Sequence, residues 1–282
     1  MITRRDFLKT TTLATASALL APGILRAGPH KKDIGLQLYT VRDHISKDLP
    51  GTLRAVAKIG YTRLEAAGYN DGKFYGMAPG EFRSLVSGSG MQPVSSHVAF
   101  SPEQSRHVID AHLELDVPYV VYPWISMPEI PSADDYLRAA GLFNRLGEAC
   151  KKDGLRFGYH NHDFEFKKIG DTTGFDILLK NTDPDLVCFE ADIYWMQYAN
   201  IVPGDYLSKY PGRFELWHIK DMDSGTGRTF TEVGEGTIPY GDYFTNFKDI
   251  SGMKYFFVEQ DKCNRDSLES TKISYRNLKK IL

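Results

Sequence analysis

Most of the short apolar stretches in this chain run into side chains that titrate or bind metals. YTRLEAAGY (61–69) carries Glu65 and QPVSSHVAF (92–100) carries His97. LRFGYHNHDFEF (155–166) carries His160, His162 and Glu165, and LVCFEADIYW (186–195) carries Glu190 and Asp192. RFELWHIKDM (213–222) ends on His218, Lys220 and Asp221, and KYFFVEQD (254–261) on Glu259 and Asp261. In an extended segment residues two apart share a face, so His160 with His162, Glu190 with Asp192, and His218 with Lys220 point to common sides. Carboxylates and imidazoles turned inward together repel or stay unsatisfied, at a cost of several kcal/mol each. A divalent cation among them removes the conflict. Mixed imidazole and carboxylate ligation suits Mn, Co, Zn or Fe, whereas an all-oxygen shell favours Mg or Ca. Each of these residues alone reads equally well as a solvated loop position; four successive strands ending this way argue for convergence.

Convergence requires elements that bring strand ends together. Two further apolar stretches, IGLQLYTV (34–41) and VPYVVYPWI (117–125), bring the expected strands to eight. Helical patterns separate them, one near Leu49 to Ile59. The clearest is ADDYLRAAGLFNRLGEACKKDG (133–154), where Leu137, Leu142, Leu146 and Ala149 form an apolar stripe and Gly154 follows as a stop. Strict alternation implies a parallel sheet, and eight repeats favour closure into a single (β/α)8 TIM barrel of the α/β class over an open sheet. No strand is followed by the GxGxxG turn of a dinucleotide-binding sheet. DSGTGRTFTEVGEG (223–236) reads as a long loop over the active face of the barrel.

Composition agrees with a globular body. The chain has 282 residues, 42% hydrophobic and 25% charged, which excludes disorder, collagen and a disulfide-stapled miniprotein. With 34 basic and 36 acidic residues the formal charge is −2, so no positive excess exists to hold nucleic acid. Cys150, Cys188 and Cys263 lie far apart without CxxC spacing and read as core thiols. His44, His107 and His112 fall on helices or loops without a clustered partner. At the N-terminus Arg4 and Arg5, then Phe7, Leu8 and Lys9, precede a short run rich in Ala and Thr and interrupted by Pro22. That resembles a twin-arginine export signal over residues 1–27, with Ala27 as its last residue and 28–282 as the barrel domain. A spanning helix needs roughly 20 apolar residues, so no stable membrane insertion is expected. The expectation is an exported, periplasmic protein, with loose attachment to the envelope as the alternative.

Four segments carry a family resemblance: LRFGYHNHDFEF, the Asp192 that ends the sixth strand, ELWHIKDM and YFFVEQD. Together they resemble the sugar phosphate isomerase/epimerase superfamily, the xylose isomerase-like TIM barrels, over essentially the whole body. The resemblance implies one divalent metal ion, Mn, Co, Zn or Mg, held by residues from strands five to eight. Asp192, His218 and Glu259 match three of that family's ligands directly. Where many members read ENH on strand five, this chain reads HNH, so His160 stands at the glutamate position; His162 and Glu165 are the other candidates for that ligand. A similar His-rich run occurs in the inosose dehydratase branch.

The resemblance implies a metal-dependent isomerase or epimerase acting on a ketose or keto-sugar by α-proton abstraction through a metal-stabilised enediolate. The alternative is a lyase that eliminates a β-oxygen from a 3-keto-glycoside or inosose, which gains ground because histidine replaces one of two opposed carboxylates. In this reading Glu259, Lys220 and Glu165 are the catalytic candidates, and His97, His162, Glu65, Trp124, Trp195 and Glu235 contact the sugar. Each has a plainer explanation: an ion pair with Asp192 or Asp221 for Lys220, solvation for Glu235, core packing for the tryptophans. The expected partner is a small sugar, unphosphorylated since no cluster of basic residues or helix-start glycines stands out; a homo-oligomer is compatible with the sequence. Abasic-site endonucleases share such a barrel but need a basic groove. A non-catalytic sugar-binding barrel is the remaining class.

Overall fold

The computed structural model describes residues 33–282, so the expected export signal with its Arg4–Arg5 pair and the expected junction at Ala27 lie outside the described residues. Eight strands recur in order: β1 (Gly35–Gln37), β2 (Arg63–Ala66), β3 (Gln92–Ser96), β4 (Tyr119–Tyr122), β5 (Arg156–His160), β6 (Val187–Asp192), β7 (Leu216–Ile219) and β8 (Tyr255–Val258). They pair in parallel in the spatial order β3-β2-β1-β8-β7-β6-β5-β4. The outer pair, β3 and β4, meet through a parallel bridge between His97 and Val121, where the Val98 N–H donates to the Val121 carbonyl at 2.9 Å. The result is a nearly closed (β/α)8 barrel, as expected.

The strands are shorter than the apolar stretches that announce them, because the last residues of each stretch leave the sheet for the loops that carry the site. Helices cover the outside, among them Leu49–Ile59, Ser105–Leu115, Ala133–Lys152, Gly174–Asn181 and Ser267–Ile281. In Ala133–Lys152 the buried face is Tyr136, Ala139, Ala140, Phe143, Leu146, Gly147 and Cys150, so only Leu146 of the expected stripe belongs to it, and Leu137 is exposed. Aromatic bulk fills the centre of this face, the Phe143 ring lying 4.7 Å from that of Tyr159 on β5, while Leu142 and Ala149 pack half-buried at its edge. Gly154 ends the segment at φ +80°, a conformation that favours glycine.

A large apolar core fills the space between sheet and helices, and a small plug of Val94, Tyr119, Val121, Cys188, Leu216 and Phe257 fills the barrel itself. Room for the Phe257 ring comes from Gly35, where a Cβ would stand 2.5 Å from it. The alternation of strand faces lifts the polar residues directly above this plug. Along β6, Cys188 is followed on the same face by Glu190 and Asp192; along β7, Leu216 is followed by His218. Strand register then sets Glu190 beside His160, and Asp192 beside His218. At the strand starts, Glu215 closes the opposite end by binding Arg156 at 2.9 Å, Lys254 at 2.7 Å and the Tyr119 hydroxyl at 2.8 Å. Among the described residues no helix is long and apolar enough to cross a membrane.

Candidate active site

Glu65, Glu190 and three imidazoles form the lower layer of the site. Glu190 Oε2 lies 2.7 Å from His97 Nε2, 3.0 Å from His160 Nδ1 and 3.2 Å from His218 Nε2. Glu65 Oε2 lies 2.6 Å from His218 Nε2 and 3.1 Å from His97 Nε2. Two residues not singled out in the sequence hold Glu65 in place: the Gln37 side-chain amide donates to it at 2.8 Å and the Ser95 hydroxyl at 2.6 Å. A signal existed for Gln37, a polar side chain directly after the apolar Ile34–Leu36 run, but not for Ser95, which sits beside a second buried serine, Ser96.

Lys220 organises the upper layer. Its Nζ lies 2.8 Å from Glu259, 3.0 Å from Asp192 and 3.1 Å from Asp261. Glu259 also meets His218 Nδ1 at 2.7 Å, so the His218 ring bridges the two layers. Asp192 caps the short helix Ile193–Tyr198 by accepting the Trp195 N–H on Oδ1 at 2.9 Å, which turns Oδ2 toward Lys220 and toward His160 Nε2 at 3.5 Å.

Burial and charge compete throughout. Burial opposes ionisation of Glu65 and Glu259, but the cationic neighbours outweigh it and hold both below the usual carboxylate range. Burial raises Asp192 to about 6 even with Lys220 beside it. Against the same desolvation, Glu65 and Glu190 push His97 up to about 9, and Asp192, Asp261 and Glu259 raise Lys220. His160 is pushed down by burial and by the surrounding cations, and His162 to about 3 by burial and Lys220, so both stay neutral.

Above these layers opens a cavity of about 530 Å³, a size suited to a small ligand, with His97, His160, His162, Lys220 and Glu259 among its floor and wall residues. Trp124 and Trp195 flank it, and two aromatics the sequence did not single out, Tyr39 and Phe230, join them. Three expected residues stand elsewhere. Glu65 is wholly buried beneath the cavity and is no part of its wall, because Gln37, Ser95 and two imidazoles use its oxygens. Glu165 accepts hydrogen bonds from the Tyr159 hydroxyl and the His162 backbone N–H, and burial raises it to about 7; it pins the strand-five loop and does not turn toward the donor cluster. Glu235 lies 3.5 Å from Arg265, half-exposed, and does not line the cavity.

Two neighbours also differ from expectation. Asp221 does not pair with Lys220; it accepts from the backbone N–H groups of Met222, Gly234, Gly236 and Ile238 and so folds the 223–236 loop back onto β7. His44, expected alone, lies 2.7 Å from Asp266, which barrel closure brings to it from beyond β8.

The lower and upper layers supply two overlapping donor quartets, His97–His160–Glu190–His218 and His160–Asp192–His218–Glu259. Glu190 Oε1 and Asp192 Oδ2 are buried and accept no hydrogen bond, although Lys220 lies beside the latter. Unsatisfied buried oxygens among imidazoles fit a divalent cation. A family model described as xylose isomerase-like TIM barrel matches residues 53–281. The chain belongs to that family. A xylose isomerase-like barrel is a sugar-processing scaffold, and its relatives include isomerases, epimerases and dehydratases. A solved structure of a sugar phosphate isomerase/epimerase from Parabacteroides distasonis ATCC 8503 is 32% identical, with 89% of this chain and 95% of that one covered and a TM-score of 0.79. The structure of the IOLI protein with a bound zinc atom has a TM-score of 0.71 at 12% identity, covering 88% of this chain and 97% of that one, which shows the shared fold. Inosose dehydratase 2 of Bacillus cereus is 23% identical over 145 residues, 46% of this chain and 48% of that protein; the chain thus spans about half the length of the curated relatives it matches.

Proposed function

We propose that this chain is a metal-dependent enzyme that removes the proton beside the carbonyl of a ketose or keto-sugar, with isomerisation or epimerisation as the outcome. One observation carries the reading: imidazoles and carboxylates from successive strand ends converge with Lys220 at the floor of an aromatic-walled cavity. His160, His218 and the adjoining carboxylates would hold a divalent ion, which would supply Lewis-acid stabilisation of negative charge on the sugar oxygens. Glu259, ionised and at the cavity floor, takes the proton from carbon. Lys220, 2.8 Å away, steadies the developing negative charge and returns a proton. His162 presents a neutral ring whose buried Nδ1 has no partner, suited to a sugar hydroxyl. Trp124 and Trp195 offer their faces to the sugar ring.

Glu259 and Lys220 line the cavity together with two neutral imidazoles, His160 and His162, so no carboxylate from the end of strand five joins the Glu259 base there. That asymmetry suits chemistry with a single base and favours a second reading, elimination of a β-oxygen with Lys220 protonating the departing group. An unphosphorylated sugar is the expected substrate, and the Arg4–Arg5 leader supports a periplasmic site of action.

The test is incubation of the metal-loaded protein with ketoses and 3-keto-glycosides in deuterated water. Carbon-bound deuterium in an isomeric product supports the first reading, and an unsaturated product the second. Sugar binding without exchange or product leaves a non-catalytic binding barrel.

A further inference from the structure

The loop after β7 is fastened at two places: Asp221 gathers its returning end, and Arg228 ties down its tip. Asp221–Met222 and Phe230–Thr231 form a short antiparallel pair, with Met222 opposite Phe230. Between them the turn closes on Asp223, whose Oδ1 accepts the Gly225 and Thr229 N–H groups at 3.0 and 3.2 Å. Those bonds are internal to the turn. Arg228, half-buried among exposed neighbours, reaches outside it. Its guanidinium donates to the Gln197 carbonyl, to the Tyr198 carbonyl at 3.2 Å and to the Asn200 side-chain oxygen at 2.9 Å. The two carbonyls belong to the last turn of Ile193–Tyr198, where helical carbonyls run out of N–H partners and a cation is favoured by the helix dipole. From the helix in return, the Tyr194 hydroxyl donates to the Arg228 carbonyl at 2.7 Å. Arg228 holds φ +48°, a left-handed conformation that is costly for a residue with a Cβ and persists where the surroundings fix it.

Two residues beyond Arg228, the Phe230 ring stacks on Tyr194 at 4.4 Å and meets Trp195 nearly edge-on at 5.6 Å. Trp195 stands 5.7 Å from the His162 ring, and Phe230, Trp195 and His162 all line the cavity. Loop and helix thus each give one aromatic to the cavity wall, and Arg228, which does not line the cavity, joins the two elements. We propose that Arg228 is a positioning residue: it clamps the 223–231 turn to Ile193–Tyr198 and so holds Phe230 against Trp195 as one preformed wall for the sugar. This rests on the sugar-processing reading above and deepens it, placing part of the binding strength in a side chain outside the cavity. A preformed wall leaves less to order on binding, so its loss weakens binding more than turnover. Lysine keeps the charge at this position but not the fork that reaches three acceptors at once.

Arg228→Gly removes the guanidinium and suits the backbone angle, so it tests the clamp without adding strain. Arg228→Lys is the conservative variant, and it decides alone if the glycine variant does not fold by circular dichroism. In steady-state assays on the keto-sugar that exchanges deuterium with the wild type, Arg228→Gly is expected to raise KM by about fivefold or more with kcat within about twofold, and Arg228→Lys to fall between. An unchanged KM in Arg228→Gly, a kcat that falls as far as KM rises, or an Arg228→Lys KM equal to wild type overturns the proposal. A second readout needs no substrate. In a Trp124→Phe background the half-buried Trp195 is the tryptophan open to acrylamide, since Trp217 is wholly buried. Arg228→Gly is expected to raise the quenching of that emission about twofold, as the wall loosens, and unchanged quenching overturns the clamp. If no keto-sugar exchanges with the wild type, the catalytic reading fails, while the quenching result still decides whether Arg228 holds the wall.

Discussion

Glu259 shares one oxygen between Lys220 and His218, so an amide in its place keeps the shape and removes the charge. Glu259→Gln is expected to lower kcat by about 10²- to 10⁴-fold while KM changes much less, in steady-state assays on whichever keto-sugar exchanges deuterium. Glu165 stands in contrast. Its carboxylate binds the Tyr159 hydroxyl and the His162 N–H below the cavity, and Glu165→Gln should lower the melting temperature while preserving most of kcat. The two glutamates look alike in sequence, each following a strand that carries histidine or a neighbouring acid. Their roles separate because the chain turns into a 3-10 turn at Phe164–Phe166 before Glu165 can project upward.

The elements around the site depend on close fits. Asp221 collects four backbone N–H groups, and a Cβ on Gly236 would stand 2.3 Å from its carboxylate. Asp221→Ala is expected to expose the 223–236 loop to limited proteolysis at concentrations that leave the wild type intact, because four donors lose their acceptor at once. On Ser105–Leu115, His112 is buried against the Tyr69 and Phe74 rings with Nδ1 on the Val108 carbonyl, and burial pushes it down to about 4. The folded chain keeps this ring neutral while the unfolded chain protonates it near its ordinary value. Its stabilising share, complete above about pH 6.5, is therefore lost as pH falls toward 4, by up to about 1.4 kcal/mol per unit. His112→Leu should flatten that part of the acid limb in urea melts at pH 7 and pH 5.

For the whole molecule, the donor cluster draws on β5, β6, β7 and the residues that follow β3 and β8, and the barrel closes between β3 and β4 through a bridge at His97. Cobalt or zinc at a hundredfold excess over Kd should stabilise the fold by about 2.7 kcal/mol, a rise in Tm of roughly 5–10 °C that a chelator reverses. Magnesium at the same concentration should leave Tm nearly unchanged.

Alternation of strand and helix, repeated eight times, was enough to specify the barrel, because period and order are local properties of the chain. The same alternation placed His160, Glu190, Asp192, His218 and Glu259 on the inner face, since residues two apart on a strand must share it. What one strand cannot state is how far it is staggered against its neighbours. That stagger sets Glu190 level with His160 and Asp192 level with His218, sinks Glu65 beneath the cavity, and brings Lys220 among three carboxylates from β6 and the end of β8. Which groups meet is decided by closure of the barrel, where residues far apart in sequence are forced into one layer.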